Sequence, residues 1–510
     1  MRPTFLVLLF ALASSSAAAA AVDVAIAQGP LSGGREDGIA YFKDIPYAAA
    51  PVGRLRWQPP GPAPHWELTR PARAFGPVCP QNRRPSLFNP KLPQSEDCLS
   101  LNVWTPDVNA KLPVMVWIHG GAFIEGSSAL PIYDGTELAQ HGVVVVSLNY
   151  RLGVLGFFHH PALGAESGAG SGNFGLLDQI AALEWVKDNI ANFGGDPAKV
   201  TIFGESAGGI SVNDLVAAPL ARGLFIRAIS ESGLGLLPVR SAGDAQKAAM
   251  AFAVDEGIDG SGAAALARLR ALSVEDILRK QGGMNGETAV QPYVDGAVIP
   301  EDVSVAFAKA DVAKVDYMAG SNSDEATLAS AIGTDLAKGP AKFGPLLPKV
   351  RAIYDAGGAI SEAQFERELF NDALFAAGAH GLAVFEAKMG ANAYVYRFDY
   401  LADSYRGKQP GVGHGGEIPY VFGLKGLGLI ADAASEKDKR MIALTQAYWT
   451  NFAKTGDPNG AGLPQWPQVT PGDGETLVFD DTTKAVDHFR QGQLGLFDDV
   501  WSRRTGLSVP

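Results

Sequence analysis

Between residues 200 and 217 the chain runs Val200-Thr201-Ile202-Phe203, then Gly204-Glu205-Ser206-Ala207-Gly208-Gly209, then an apolar helical pattern to Ala217. A β-branched run, a glycine-rich turn around one serine and a helix leave few ways to build a fold. The turn is tight enough that side chains at Gly204 and Gly208 would meet neighbouring backbone, and it holds the serine strained with its Oγ exposed. A bare Gly-x-Ser-x-Gly arises by chance as a structural turn; with a strand before it and a helix after it, the pattern is that of a nucleophile elbow. The rest of the chain supplies the scaffold such an elbow needs. Pro113–Ile118, Val143–Leu148 and Ala228–Ser230 are also strand-like. In Asn173–Ile190, Leu176, Leu177, Ile180, Leu183, Trp185 and Val186 recur at helical spacing. The alternation predicts an α/β fold, a central mostly parallel sheet with helices on both faces and its chemistry at the carboxyl ends of the strands.

A serine hydroxyl is a weak nucleophile and needs a base and an oxyanion site. Ile118-His119-Gly120-Gly121-Ala122-Phe123 closes a strand with small residues that let backbone N–H groups approach a developing oxyanion. Ala207, just after the serine, adds an N–H at a helix start, where donors are free. The chain order for an elbow serine is Ser, then acid, then His. Of the 8 histidines, His65, His119, His141, His159 and His160 precede Ser206. His380 falls in an Ala-rich helical stretch and His488 in a polar C-terminal region. His414, in Gly411-Val412-Gly413-His414-Gly415-Gly416-Glu417-Ile418-Pro419-Tyr420, has a glycine loop able to approach the elbow. For the acid, Gly320-Ser321-Asn322-Ser323-Asp324-Glu325-Ala326 follows the apolar-rich Val315–Ala319. These residues alone do not separate Asp324 from Glu325: either carboxylate suits a histidine, and Asp324 also suits a helix cap.

Taken together, these segments resemble the type-B carboxylesterase/cholinesterase family of α/β-hydrolases, in particular its bacterial secreted carboxylesterases. Phe203–Gly209 resembles that family's serine signature and Ser95-Glu96-Asp97-Cys98-Leu99-Ser100-Leu101-Asn102-Val103 its second signature. The match runs from Ile45-Pro46-Tyr47 and Pro51-Val52-Gly53 to Tyr448-Trp449-Thr450-Asn451-Phe452-Ala453. The resemblance implies an α/β-hydrolase fold and a Ser206–His414–Glu325 triad. It also implies oxyanion donors at Gly121, Ala122 and Ala207, with Ala122 where the family often has Gly. Glu205, before the nucleophile, is expected to hold a water or raise the basicity of His414, or else to be an acceptor within the elbow. Arg56 with Glu96, and Arg151 with Asp178, fall where the family has structural salt bridges. Cholinesterases place a Trp eight residues before the Glu of the second signature; here that position is Phe88, a weaker partner for a quaternary ammonium. Phe88 and Phe123 are the candidate substrate-pocket residues. The function implied is serine carboxylic-ester hydrolysis on a small-molecule ester through an acyl-enzyme. Amide hydrolysis and acyl transfer use the same triad. Non-catalytic binding relatives typically lack the serine or a triad partner, and all three are present here.

Composition narrows the remaining choices. Of 510 residues 47% are hydrophobic and 19% charged, which excludes disorder. A net charge of −12 gives no electrostatic footprint for nucleic acid. No His/Asp/Glu spacing suggests a metal, no P-loop Lys is present, and no cofactor is expected. Arg2, the apolar Phe5–Leu12 and the small residues to Ala21 read as a signal peptide, residues 1–21, too short to span a bilayer. No later stretch reads as a membrane segment. Export to the periplasm or medium makes sense of the 2 cysteines, Cys79 and Cys98, as a disulfide closing a proline-rich loop rather than two buried thiols. The expected organisation is one hydrolase domain over 22–510, a monomer or homodimer.

Overall fold

The computed structural model describes residues 21–83, 91–167, 172–282, 290–425, 427–472 and 474–510. The expected leader up to residue 20, and Phe88, lie outside them. Among the described residues the sheet has thirteen strands. Twelve form its path: β1 (Val22–Ile26), β2 (Gly29–Glu36), β3 (Ile39–Pro46), β4 (Ser100–Thr105), β5 (Leu112–Ile118), β6 (Val144–Leu148), β7 (Gly195–Glu205), β8 (Arg227–Glu231), β9 (Asp316–Asn322), β10 (Ala393–Phe398), β11 (Thr476–Phe479) and β12 (Lys484–Val486). Their order is β1-β2-β3-β4-β6-β5-β7-β8-β9-β10-β11-β12, and the two-residue strand Arg70–Pro71 pairs with β2. From β6 through β11 every neighbouring pair is parallel. The four strands before this run and the one after it are antiparallel.

The strands are buried on both faces, as helix-covered parallel sheets require. Period-two alternation divides their side chains between two cores. In β5, Val114, Val116 and Ile118 join one core and Met115 and Trp117 the other. In β6, Val144, Val146 and Leu148 oppose Val145 in the same way. The first core takes in α1 (Phe174–Asn189) and α2 (Ala207–Ala217). The second takes in α3 (Glu436–Thr455), whose Tyr448, Trp449 and Phe452 pack with Phe203 and Trp117. The sequence-expected strands and helices all appear, with β7 longer than Val200–Phe203 and α2 starting at Ala207 rather than Gly209.

Two ion pairs, one half-buried and one buried, fasten the frame where the resemblance placed them. Arg56 meets Glu96 through two parallel hydrogen bonds of 2.7 and 2.6 Å. Arg151 meets Asp178 of α1 at 2.8 and 2.6 Å. Cys79 and Cys98 form a disulfide, with their Cα atoms 5.1 Å apart. Gln81, two residues beyond the bridge, binds the N–H and C=O of Gly126 at 2.9 and 2.8 Å. The clasp is thereby tied to the loop that follows β5. Trp104, Trp117 and Trp185 are core residues, as their strand and helix patterns suggested. Among the described residues no helix is long and apolar enough to cross a membrane.

Candidate active site

Strand β7 delivers Ser206 to the carboxyl end of the sheet, and α2 begins at the next residue. Ser206 has φ 57° and ψ −121°, a conformation an L-residue holds only when its surroundings enforce it. The enforcing contacts are the glycines. A Cβ on Gly204 would lie 2.6 Å from the carbonyl oxygen of Ile118, and one on Gly208 only 2.0 Å from the same atom. Glycine at these two positions lets the elbow close onto the end of β5. The Ser206 N–H donates to the Glu231 carbonyl at 2.9 Å, and the Ser206 carbonyl accepts the first bond of α2 from Ile210 at 2.8 Å.

The loop after β5 lies against the elbow: a Cβ on Gly120 would come within 3.2 Å of Ser206 Cβ. Gly121, Ala122 and Phe123 all have positive φ, at 111°, 54° and 62°. Both Ile124 and Glu125 donate to the Gly121 carbonyl at 3.0 Å, which fixes this turn. Among the described residues the N–H groups of Gly121, Ala122 and Ala207 have no hydrogen-bond partner. Two non-glycine residues in the left-handed region mark strain of the kind that collects at functional sites. His119 supports the loop from below. It is fully buried, stacks on Tyr150 with ring centres 4.5 Å apart, and lies with Nδ1 2.8 Å from the Gly120 carbonyl. Burial lowers its pKa to about 4, so the ring is neutral and acts as scaffold.

The acid and the histidine come from the loops after β9 and β10. The Asp324 N–H donates to the Val412 carbonyl at 2.8 Å, the Val412 N–H to Ser323 Oγ at 2.8 Å, and the His414 N–H to Thr327 Oγ1 at 2.9 Å. Laced together in this way, the loops set Glu325 Oε2 2.6 Å from His414 Nδ1. Glu325 is fully buried, and its Oε1 accepts from the Asn322 N–H at 2.7 Å and from Ser232 Oγ at 2.6 Å. Asp324, left open by the residues alone, faces away from the histidine and pairs with Arg367. It occupies the cap position of the turn Glu325–Leu328, but its side chain makes no capping bond, because both oxygens are taken by the guanidinium. His380 is in a buried helix, and His488 is exposed beside Asp487.

Glu205 Oε1 lies 3.2 Å from His414 Nε2, without hydrogen-bond alignment. Desolvation opposes a charge on His414, but Glu205 foremost and Glu325 next outweigh it, and its pKa rises to about 9. Burial raises Glu205 to about 7 against the pull of His414. Behind them are two carboxyls that the sequence reading missed. Burial pushes Glu231, which accepts from Trp449 Nε1 at 2.8 Å, up to about 8. Glu417, which accepts from Asn322, is raised well above the ordinary carboxylate range, again chiefly by burial. Ser232, the support for Glu325, was also missed. The available signal was position: Glu231 and Ser232 sit at the carboxyl end of β8, and Glu417 three residues after His414. Of the two pocket candidates, Phe123 is buried against Phe157 and Phe88 lies outside the described residues.

Comparison with known proteins agrees with this layout. The carboxylesterase family model matches residues 20–343 and 355–497. Para-nitrobenzyl esterase of Bacillus subtilis (strain 168) is 38% identical over 484 residues, covering 89% of this chain and 93% of its own. Fumonisin B1 esterase of Sphingopyxis macrogoltabida is 37% identical, covering 85% and 82%. Liver carboxylesterase of Sus scrofa is 35% identical, covering 92% and 90%. A solved structure of PNB esterase superposes with a TM-score of 0.82 at 36% identity, over 92% of this chain and 99% of that one. The chain belongs to the carboxylesterase family, has the α/β-hydrolase fold, and is a carboxylic ester hydrolase.

Proposed function

We propose that Ser206, His414 and Glu325 hydrolyse a small-molecule ester through an acyl-enzyme. The observation that carries this reading is the 2.6 Å contact of Glu325 Oε2 with His414 Nδ1, at the end of the sheet that holds Ser206 in its strained turn. A carboxylate on Nδ1 keeps the proton there and leaves Nε2 as the base. His414 Nε2 has no hydrogen-bond partner among the described residues and is free for that role. In the proposed step, Ser206 Oγ bonds to the ester carbonyl carbon while its proton passes to Nε2. The carbonyl oxygen gains negative charge, which the free N–H groups of Gly121, Ala122 and Ala207 stabilise. The C–O bond to the alcohol then breaks, and the Nε2 proton goes to the leaving oxygen. Water repeats the sequence on the acyl-serine, releases the acid and restores Ser206. Glu205, beside Nε2, favours the imidazolium that forms in between.

Residues 22–510 act as one hydrolase domain in this reading, since the triad spans 206 to 414 and its loops leave strands of one sheet. The disulfide and the N-terminal apolar segment support export to the periplasm or medium. The test is turnover of chromogenic acyl esters, para-nitrobenzyl esters among them, by wild type and by Ser206→Ala. Loss of turnover in the variant is expected. Full turnover by Ser206→Ala overturns the proposal.

A further inference from the structure

A cavity enclosing about 520 Å³ of empty space, its open mouth included, runs beside α2. Ser206 opens this helix, and Ile210, Asn213 and Asp214 follow it at spacings of four, seven and eight residues. That spacing is one helical stripe, and all three of the later residues line the cavity. Phe123, which follows the Gly121–Ala122 turn, and the Gly233–Gly235 segment after β8 line it too. Leu237, Pro238, Val239 and Val303 add to its mainly apolar lining. The cavity runs along the helix from Ile210, one turn beyond Ser206, to Asp214, about 12 Å along the axis from Ser206.

Asp214 is the anomaly in this lining. It is 2% exposed, and its Oδ2 has no hydrogen-bond partner among the described residues. Its neighbour Asn213 is engaged, donating to the Gly233 carbonyl at 2.9 Å and accepting from Tyr317 at 2.7 Å. Arg240 also lines the cavity, but it donates to the Asp244 carbonyl at 2.8 Å and does not figure among the charges acting on Asp214. Leaving a buried carboxyl without a partner is unfavourable, so a ligand group that pairs with it gains about 5- to 150-fold in affinity.

We propose that this cavity takes the acyl chain of the ester and that Asp214 selects acyl chains carrying an uncharged hydrogen-bonding group, such as a hydroxyl, at its depth. The inference rests on the triad reading above. The leaving oxygen must lie beside His414 Nε2 to receive its proton; the cavity is lined instead by Phe123, next to the Gly121–Ala122 turn, and by Gly233, and among the described residues by none of the His414 loop, so the acyl half of the ester is the half directed here. Burial pushes the Asp214 carboxyl well above the ordinary carboxylate range, which favours its neutral form. A neutral acid both donates and accepts, and a hydroxyl can satisfy it both ways. A plain alkyl chain leaves it unpaired, and a carboxylate would bring an unpaired charge into an apolar cavity.

The test uses matched para-nitrophenyl esters of medium-chain acids with and without a terminal hydroxyl. It is read as the ratio of kcat/KM for the hydroxylated over the plain chain, so any change common to both cancels. Wild type is expected to favour the hydroxylated ester by about tenfold, within the 5- to 150-fold that recovery of one buried polar group gives. Asp214→Leu is expected to bring the ratio to about one or below, and the isosteric Asp214→Asn to retain part of it. A wild-type ratio of one or less overturns the proposal, as does a ratio unchanged in Asp214→Leu. If Leu fails to fold, Asp214→Ala, which also removes both polar atoms, decides. Turnover surviving in Ser206→Ala would instead overturn the triad reading, so the two failures are distinct.

Discussion

Changing Glu325 to Gln replaces a single oxygen by an amide nitrogen, and the surroundings dictate which way the amide must turn. In the native site Oε1 faces two donors, the Asn322 N–H at 2.7 Å and the Ser232 hydroxyl at 2.6 Å, while Oε2 faces one, His414 Nδ1 at 2.6 Å. A glutamine has one acceptor oxygen. Turned towards Asn322 and Ser232, it satisfies both buried donors and points its NH2 at the histidine. The reverse orientation sets NH2 against a backbone N–H that cannot rotate away. The first arrangement wins, and it compels Nδ1 to accept. The ring proton then moves to Nε2, the nitrogen that receives the Ser206 proton in the proposed mechanism. The wrong tautomer in such a triad costs about 10⁴-fold in kcat, or about 5 kcal/mol at 1.36 kcal/mol per decade. KM should change little, since Glu325 does not contact substrate in the proposed mechanism. The assay is steady-state hydrolysis of a chromogenic acyl ester, with thermal melting to confirm the fold. Asp324→Asn is the companion variant: it weakens only the pairing with Arg367 and should cost less than about tenfold. If Glu325→Gln stays within tenfold of wild type, or Asp324→Asn is the more damaging, the tautomer argument is refuted.

Three further outcomes follow from the same geometry. In the proposed mechanism the base form of His414 is the active one, and its pKa is raised to about 9, so kcat/KM is expected to fall as pH drops from 9 towards 5. Glu205→Gln removes the foremost raising charge and moves that acidic limb to lower pH; a flat wild-type profile between pH 5 and 8, or an unmoved limb in the variant, speaks against the charge pairing. Glu231 has its pKa raised from 4.5 to about 8, so its contribution to stability is full below pH 4.5 and is lost as pH rises through 8. Glu231→Gln keeps an acceptor for Trp449 and should flatten the decline in Tm between those limits, measured by melting at several pH values. Replacing Cys79 and Cys98 by serine frees a loop of 18 intervening residues and should cost about 3 kcal/mol, read from denaturant unfolding under non-reducing conditions.

The elbow was legible because its requirements are local: a strand, two glycines where no Cβ fits, and a helix start fall in eighteen consecutive residues. His414 was legible by elimination and by the glycines of its loop. Glu325 was not separable from Asp324 until the fold was known, because which carboxylate faces inward depends on Arg367, forty-three residues away in the chain. Distance in sequence also hid Ser232, Glu231 and Glu417, which follow two different strands, β8 and β10, whose ends meet at one place. The strand boundaries were read short at β7, where charged and proline residues at its start (Asp196, Pro197, Lys199) break the apolar run. Strands β10 and β11 were not read from the sequence, whereas the parallel run from β6 to β8 followed from strand–helix alternation. The antiparallel strands before it did not, since Gly29–Glu36 carries few β-branched or aromatic residues.

The central claim is that Ser206 carries the acyl group. Incubation with a fluorophosphonate probe, or rapid acid quench during turnover of a slow ester, followed by peptide mass spectrometry, measures this directly. The added mass is expected on the peptide containing Ser206, in proportion to lost activity, and on no peptide of Ser206→Ala. Modification at another residue, or turnover with no covalent adduct under conditions where deacylation is rate-limiting, would contradict it.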